Sequence, residues 1–154
     1  TLVLFFADNG RPFPRCKTRL YDSGIKTPMM VRWPKVISPG TVTNSLVSTI
    51  DLGPTFLQVA GVKADPRMQG VSFENLFTDP EAKVRDYACA EHNWHVFKAH
   101  ERMVRTGDWL YIRNALPGQR NLCVESIDFP SGEALWERYE AGKLNKHQKD
   151  VFLK

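Results

Sequence analysis

Asp8 and Asn9 place a carboxylate beside an amide, directly after the apolar segment at residues 2–7. That segment predicts a strand buried on both faces, as in a parallel sheet covered by helices. Ligands of open α/β sheets bind at the carboxyl ends of the strands, and adjacent oxygen ligands suit Ca²⁺ and Mg²⁺. Asp-Asn-Gly also forms ordinary turns, so the tripeptide alone does not decide between a turn and a metal site.

The loop that follows, residues 11–24, is basic and stiffened by proline. Its cations and its prolines lie within nine positions: Arg11, Pro12, Pro14, Arg15, Lys17 and Arg19. A lysine held near a metal is a suitable ligand for a tetrahedral oxyanion, since it supplies a compact charge and three donors. Lys17 is therefore a candidate oxyanion ligand, and a solvated basic loop is the alternative.

A histidine cluster follows a strand predicted over residues 87–91. His92 and His95 have the i, i+3 spacing of a possible metal site, and His95 and His100 could contact a sugar or act in acid/base chemistry. The alternative is a hydrogen-bonding loop in which Trp94 packs in the core.

The elements of the first half alternate between strand and helix. Residues 29–33 predict a second strand. Asp51 is predicted as the N-cap of a helix, and Gly61 is placed to end that helix. This order indicates an α/β architecture.

The second half has a different character. Residues 102–106 and 109–113 are strand-like and flank a good hairpin turn at Gly107. Two helices follow, with Ser131 and Asn145 predicted as their N-caps. The chain is thus predicted to pass from α/β structure to an antiparallel sheet with helices. The tryptophans in these strand or helix patterns are predicted to be core residues: Trp33, Trp109 and Trp136.

Composition sets broad limits. The 154 residues are 42% hydrophobic and 25% charged, which excludes collagen-like, disordered and disulfide-scaffold proteins. No apolar stretch reaches the roughly 18 residues of a membrane span. The net charge of +4 permits an anionic partner such as phosphate, sulfate or nucleic acid, but no basic run interleaved with aromatic residues marks a nucleic-acid groove. Three cysteines without C-x-x-C spacing predict neither a zinc site nor a disulfide framework.

The start of the chain is unusual. It begins at Thr1 and enters a strand pattern at the second residue. Autonomous domains seldom open inside a core element. We therefore expect this sequence to be a fragment of a longer protein.

Five sequence blocks, in order, resemble the type I sulfatase family. Thr1–Gly10 resembles its strand and D-N-G signature, and Lys17–Pro28 resembles its K-x-x-x-Y-E-G-G-x-R-x-P segment. Val31–Pro34, Ser48–Thr55 and Gln69–Phe73 are similar to three further blocks. Five blocks in the right order are far more specific than any one of them.

The resemblance implies a fold and a domain division. The insertion at residues 12–14 is similar to the heparan N-sulfatase (N-sulfoglucosamine sulfohydrolase) branch in particular. The fold implied is the C-terminal portion of an alkaline phosphatase-like sulfatase. Residues 1–79 would end its catalytic α/β domain, and residues 80–154 would form a smaller, truncated α+β subdomain with an antiparallel sheet and helices.

The resemblance also implies site residues. At matching positions, Asp8 and Asn9 inherit the ligation of one calcium ion, and Lys17 inherits contact with the sulfate. Calcium and lysine would together neutralise charge that develops on the sulfuryl oxygens. His95 and His100 are added as candidate substrate contacts.

The nucleophile that the family implies is not in this sequence. It is a formylglycine made from Cys or Ser in a C/S-x-P/A-x-R motif, and the segments after Cys16, Cys89 and Cys123 do not match that motif. The paired aspartates that complete the calcium site are also missing. Both are expected upstream, so we expect this chain alone to be inactive.

The implied function is hydrolysis of sulfate esters or sulfamates of glycans. The expected partner is a sulfated glycan or another small sulfated substrate, with no nucleic acid and no membrane span. Family members are usually periplasmic, extracellular or lysosomal, so an exported protein is expected. Two alternatives remain at this point: a phosphatase or phosphonate hydrolase of the same superfamily, with two transition metals, and a non-catalytic glycan-binding remnant.

Overall fold

The computed structural model describes residues 1–117, 126 and 128–152. Its strands are Val3–Phe6 (β1), Met29–Arg32 (β2), Ala88–Trp94 (β3), Lys98–Arg105 (β4) and Leu110–Asn114 (β5). Its α-helices are Asp22–Ile25 (α1), Leu52–Val59 (α2), Pro130–Glu140 (α3) and Lys146–Phe152 (α4), and 3-10 helices lie at Thr49–Asp51 and Glu74–Phe77. The predicted mixture of helices and strands, with a small antiparallel sheet in the second half, is confirmed.

The chain forms two compact units that interleave along the sequence. The first unit contains residues 1–5, 30–88 and 104–109. The second unit contains residues 6–29, 89–103 and the described residues from 110 onward.

The core of the first unit is built from aromatic and aliphatic side chains around the second 3-10 helix. Phe73, Leu76 and Phe77 are buried at its centre. The ring of Phe77 meets those of Trp33 and Phe73 edge to face, with centroids 5.8 and 5.9 Å apart. These are favourable arrangements for aromatic quadrupoles, and they confirm that Trp33 is a core residue.

Asp51 does not act as the N-cap that the sequence predicts. Its backbone is already helical, with φ −79° and ψ −15°, and its side chain is fully buried. The carboxylate accepts hydrogen bonds from the backbone N–H of Ser48 at 2.7 Å and of Val71 at 2.8 Å. It also pairs with the guanidinium of Arg85. The bond from Ser48 is half of a capping box at the start of the first 3-10 helix, in which Asp51 is the third residue. Val71 and Arg85 supply the other donors to the carboxylate.

Thr55 connects the same helix to the core. Its hydroxyl donates to the Asp51 carbonyl at 2.6 Å and accepts from the Phe73 N–H at 3.0 Å. Helix α2 then ends as predicted, because Gly61 adopts φ +70°, a left-handed conformation that glycine takes without strain.

Strand β1 forms as predicted, but its pairing and burial differ from the prediction. The N–H of Ala7 donates to the Pro28 carbonyl at 3.2 Å, which sets β1 antiparallel to β2 rather than parallel. Phe5 is 62% exposed, so the strand is not buried on both faces. Among the described residues β1 pairs with β2 alone, and a two-stranded ribbon does not cover its own faces.

A sheet of three strands in the order β3-β4-β5 lies mostly in the second unit, and the turn at residues 106–109 is assigned to the first unit. Short turns at residues 95–97 and 106–109 join neighbouring strands. Both strand pairs are therefore antiparallel, because parallel strands need a much longer connection. In the second turn the Thr106 N–H donates to the Trp109 carbonyl at 2.8 Å, which confirms the hairpin at Gly107.

The remaining predicted core tryptophans behave differently from each other. Trp109 lies in the hairpin turn and is 78% exposed, so its prediction as a core residue is wrong. A short turn projects its side chains away from the sheet. Trp136 is half-buried and stacks on Tyr139 and Phe152, with centroids 5.4 and 5.3 Å away.

The two last helices begin in different ways. Helix α3 starts at Pro130 after Phe129, so Ser131 lies inside the helix and is not its N-cap. Proline is favoured in the first turn because its φ is already helical and its missing N–H has no partner there. Asn145 caps α4 as predicted, since its side-chain oxygen accepts from the Gln148 N–H at 2.9 Å. Across the described ranges, no helix combines the length and the apolar character that crossing a membrane requires.

Replacing Asp51 by Asn should lower the free energy of unfolding by about 3–5 kcal/mol, because the change leaves the buried Arg85 guanidinium without a counter-charge. Urea denaturation followed by circular dichroism measures this loss. Asp65→Asn is the matched control, since Asp65 pairs with Arg67 on the surface. The control should leave the midpoint unchanged, and equal losses in the two variants would contradict the role of Asp51.

Candidate functional site

Asp8 and Asn9 lie just after β1, at the start of the loop that leads to α1. The N–H of Gly10 donates to the Gly24 carbonyl at 2.8 Å and closes this loop at its base. Asp8 is exposed and Asn9 is half-buried. The side-chain nitrogen of Asn9 donates to the Gly10 carbonyl at 2.8 Å, so this bond engages the nitrogen and not the oxygen that would bind a metal.

Lys17 sits at the turn of a tightly folded loop. Its N–H donates to the Arg11 carbonyl at 3.0 Å, which folds the loop back on itself. Arg15 and Thr18, on either side of Lys17, both have φ +66°. Non-glycine residues in this left-handed region cost of order 1–3 kcal/mol each and persist only where the surroundings hold them. The backbone around Lys17 is therefore strained and held in one shape.

Contacts within the loop help to hold that shape. The Ser23 hydroxyl donates to the Arg15 carbonyl at 2.8 Å, and the Arg15 guanidinium lies 4.0 Å from the centroid of the Tyr21 ring. The Cα of Gly24 packs so tightly that an added Cβ would overlap the carbonyl oxygens of Cys16 and Arg19. Glycine is required there for close backbone approach, and a positive φ plays no part.

An ionic network, which sequence analysis missed, links this loop to the sheet. Glu101 on β4 is 1% exposed, and its two oxygens take different partners. One oxygen pairs with the Arg19 guanidinium at 2.9 Å, and the other lies 3.1 Å from Nδ1 of His92 on β3. Strand alternation could have indicated that Glu101 is buried, because Glu101 lies on the same face of β4 as the buried Ala99 and Met103.

The structure separates the predicted histidine cluster. His92 points into the buried network, whereas His95 lies in the turn between β3 and β4 and is exposed. His100 is exposed on β4 and, by strand alternation, faces away from Glu101. Trp94 is 67% exposed, so it does not pack in the core as the alternative interpretation required.

Asp8, Asn9 and Lys17 are thus carried by one short stretch of the second unit. Two oxygen donors supply only part of the six to eight ligands that Ca²⁺ takes, and their chemistry fits a partial calcium shell. In the part of the chain that the structure describes, no group of three or more His, Cys, Asp or Glu side chains could hold a metal. Cys16 and Cys89 are free thiols there, and Cys123 lies outside the described residues.

Gly24→Ala should disrupt the loop around Lys17, because the new methyl group would meet the backbone oxygens of Cys16 and Arg19. We expect a loss of about 1–3 kcal/mol in unfolding free energy and faster amide hydrogen exchange over residues 10–24. Gly107→Ala is the control, since a Cβ there meets open space. Unchanged exchange in the Gly24 variant would show that the loop is not tightly packed.

Comparison with known proteins places this chain in a family. Residues 16–115 match the family described as N-sulphoglucosamine sulphohydrolase, C-terminal. The chain is 35% identical to an ulvan-active sulfatase of Formosa agariphila, over 99% of this chain and 26% of the relative. It is 39% identical to the N-acetylglucosamine-6-sulfatase of Bos taurus, over 47% of this chain and 14% of the relative. The chain therefore spans about a quarter or less of the length of these relatives.

A solved structure supports the same fold. A protein solved in complex with its substrate, D-glucosamine-2-N,6-O-disulfate, superposes with a TM-score of 0.57 at 17% identity. The superposition covers 99% of this chain and 34% of that one. Since the family match covers well over half of the chain and the Formosa relative aligns along nearly all of it, the chain belongs to the sulfatase family, within the group described as N-sulphoglucosamine sulphohydrolase, C-terminal.

Proposed function

We propose that this chain is the C-terminal part of a sulfatase that hydrolyses sulfate esters or sulfamates of glycans, with heparan N-sulfatase-like specificity. The observation that carries the proposal is the placement of Asp8, Asn9 and Lys17 on one constrained loop. In a chain of the sulfatase family, two oxygen donors and an ammonium on that loop would supply part of a calcium shell and one donor to a sulfate.

Lys17 has the clearest role in this proposal. Its ammonium would donate to the sulfuryl oxygens and stabilise the negative charge that grows on them during cleavage. Asp8 and Asn9 would supply part of the ligand shell of one calcium ion. A bound calcium would add positive charge beside the same oxygens. The attacking group, a formylglycine, and the remaining calcium ligands would come from the part of the protein that precedes this chain.

The substrate side of the proposal rests on the relatives. One relative is named for a sulfated N-acetylglucosamine, and one structural neighbour holds a disulfated glucosamine. A sulfated glycan is accordingly the proposed partner, and the exposed His95 and His100 are its proposed contacts. Residues 1–79 would complete the catalytic domain and residues 80–154 the smaller subdomain. We also propose that the protein acts outside the cytoplasm or in the lysosome.

In the whole protein that carries this chain, Lys17→Met should lower kcat/KM for a sulfated glucosamine by roughly 10²–10³-fold, because one oxyanion donor is lost. Lys63→Met, at an exposed site in the other unit, is the control and should leave the rate unchanged. The isolated chain should show no turnover of an aryl sulfate. Equal rates in wild type and the Lys17 variant, or turnover by the isolated chain, would contradict the proposal.

Metal analysis of the whole protein separates this proposal from the phosphatase alternative. We expect one calcium ion per molecule and no transition metal, since Asp8 and Asn9 present oxygen ligands. Asp8→Asn should weaken calcium binding, measured by titration with a competing chelator. Two zinc or manganese ions per molecule would instead identify a phosphatase or phosphonate hydrolase, and the absence of metal with retained glycan binding would identify a binding module.

A further inference from the structure

Glu101 is the most buried ionisable group among the described residues of the second unit, and the proposed sulfate chemistry does not use it directly. Glu101 is 1% exposed, and each oxygen of its carboxylate has a different partner. Oε1 lies 2.9 Å from the Arg19 guanidinium, and Oε2 lies 3.1 Å from Nδ1 of His92. A buried carboxylate is tolerated only where such partners hold it. The Arg19–Glu101 pair thereby fixes the loop to β4.

Arg19 lies two residues after Lys17 and moves with it. Its N–H donates to the Cys16 carbonyl at 3.0 Å, so Lys17 is enclosed in a single turn between Cys16 and Arg19. Thr18, inside that turn, is left-handed with φ +66°. A turn this short transmits a displacement of Arg19 to the backbone of Lys17.

The strain in this turn means that it needs an anchor. A left-handed threonine would relax to an ordinary conformation if nothing outside the turn held it. The Arg19 side chain is 14% exposed and ends on Glu101, on a strand that is distant in sequence. This ion pair joins the turn to a hydrogen-bonded sheet, which is a rigid support.

We propose that Glu101 is a positioning residue for Lys17. Through Arg19 it keeps the strained turn in the one conformation that presents the lysine ammonium to a sulfate. This inference rests on the proposed function, because it assumes that Lys17 binds the oxyanion. In this proposal Glu101 acts through Arg19 and does not itself bind sulfate or metal.

The test measures binding of inorganic sulfate to the whole protein by isothermal titration calorimetry. Glu101→Gln keeps the side-chain shape and removes the charge. It should weaken sulfate binding roughly 10- to 100-fold, because small misplacements of a binding group have effects of this size. Glu91→Gln is the matched control, since Glu91 pairs with Arg102 at 3.3 Å on the exposed side of the sheet. The control should bind sulfate as the wild type does.

A double-mutant cycle separates positioning from general stabilisation. In a Lys17→Met background, Glu101→Gln should cause no further loss of sulfate binding, because its effect acts through the lysine. If Glu101→Gln does not fold, as judged by circular dichroism, Arg19→Lys replaces it in the same cycle, with the same expectation.

The outcomes are distinguishable. If Lys17→Met alone leaves sulfate binding unchanged, the proposed function itself fails. If Lys17→Met weakens binding but Glu101→Gln does not, or if the Glu101 effect persists undiminished in the Lys17→Met background, the positioning role is overturned. The positioning role is supported if Glu101→Gln weakens sulfate binding when Lys17 is present and has no further effect in the Lys17→Met background.

Discussion

A buried carboxylate is stable only when hydrogen-bond donors or cations replace the water it has lost. Each unit of this protein contains one such carboxylate, Asp51 in the first and Glu101 in the second. In the first unit Asp51 is fully buried and gathers two backbone N–H groups and the Arg85 guanidinium. Those donors come from positions 3, 20 and 34 residues away in the chain. One side chain therefore joins the start of a helix, the segment that enters the aromatic core and the segment around Arg85.

Glu101 plays the corresponding part in the second unit, with a different consequence. Its partners, Arg19 and His92, belong to a loop and to the neighbouring strand. The carboxylate thus joins an irregular segment to a regular one, and its partner Arg19 lies two residues after Lys17. Surface ion pairs of the same composition, such as Glu91 with Arg102, contribute little because water screens them. Burial makes the difference, since a buried charge cannot exchange its partner for water.

Local sequence patterns predicted the parts of the fold that local physics controls. The left-handed Gly61, the hairpin at Gly107 and the Asn145 cap all depend on residues a few positions apart, and all three were confirmed. The errors arose where distant partners decide. Aspartate is a favoured N-cap residue, but the Asp51 side chain bonds to Val71 and Arg85 instead. The residues next to Asp51 in sequence do not indicate either of these partners.

The candidate site shows the same division. The sequence by itself indicated the candidate residues, because Asp8, Asn9 and Lys17 are close in the chain and resemble family blocks whose order is specific. Only the tertiary structure decided how that chemistry is held. It placed His92 against a buried glutamate and away from His100, and it brought Arg19 to Glu101. Alternation along β4 can indicate that Glu101 is buried, but the partner of a buried charge is decided in space. The residues near Glu101 in sequence therefore do not identify Arg19 as that partner.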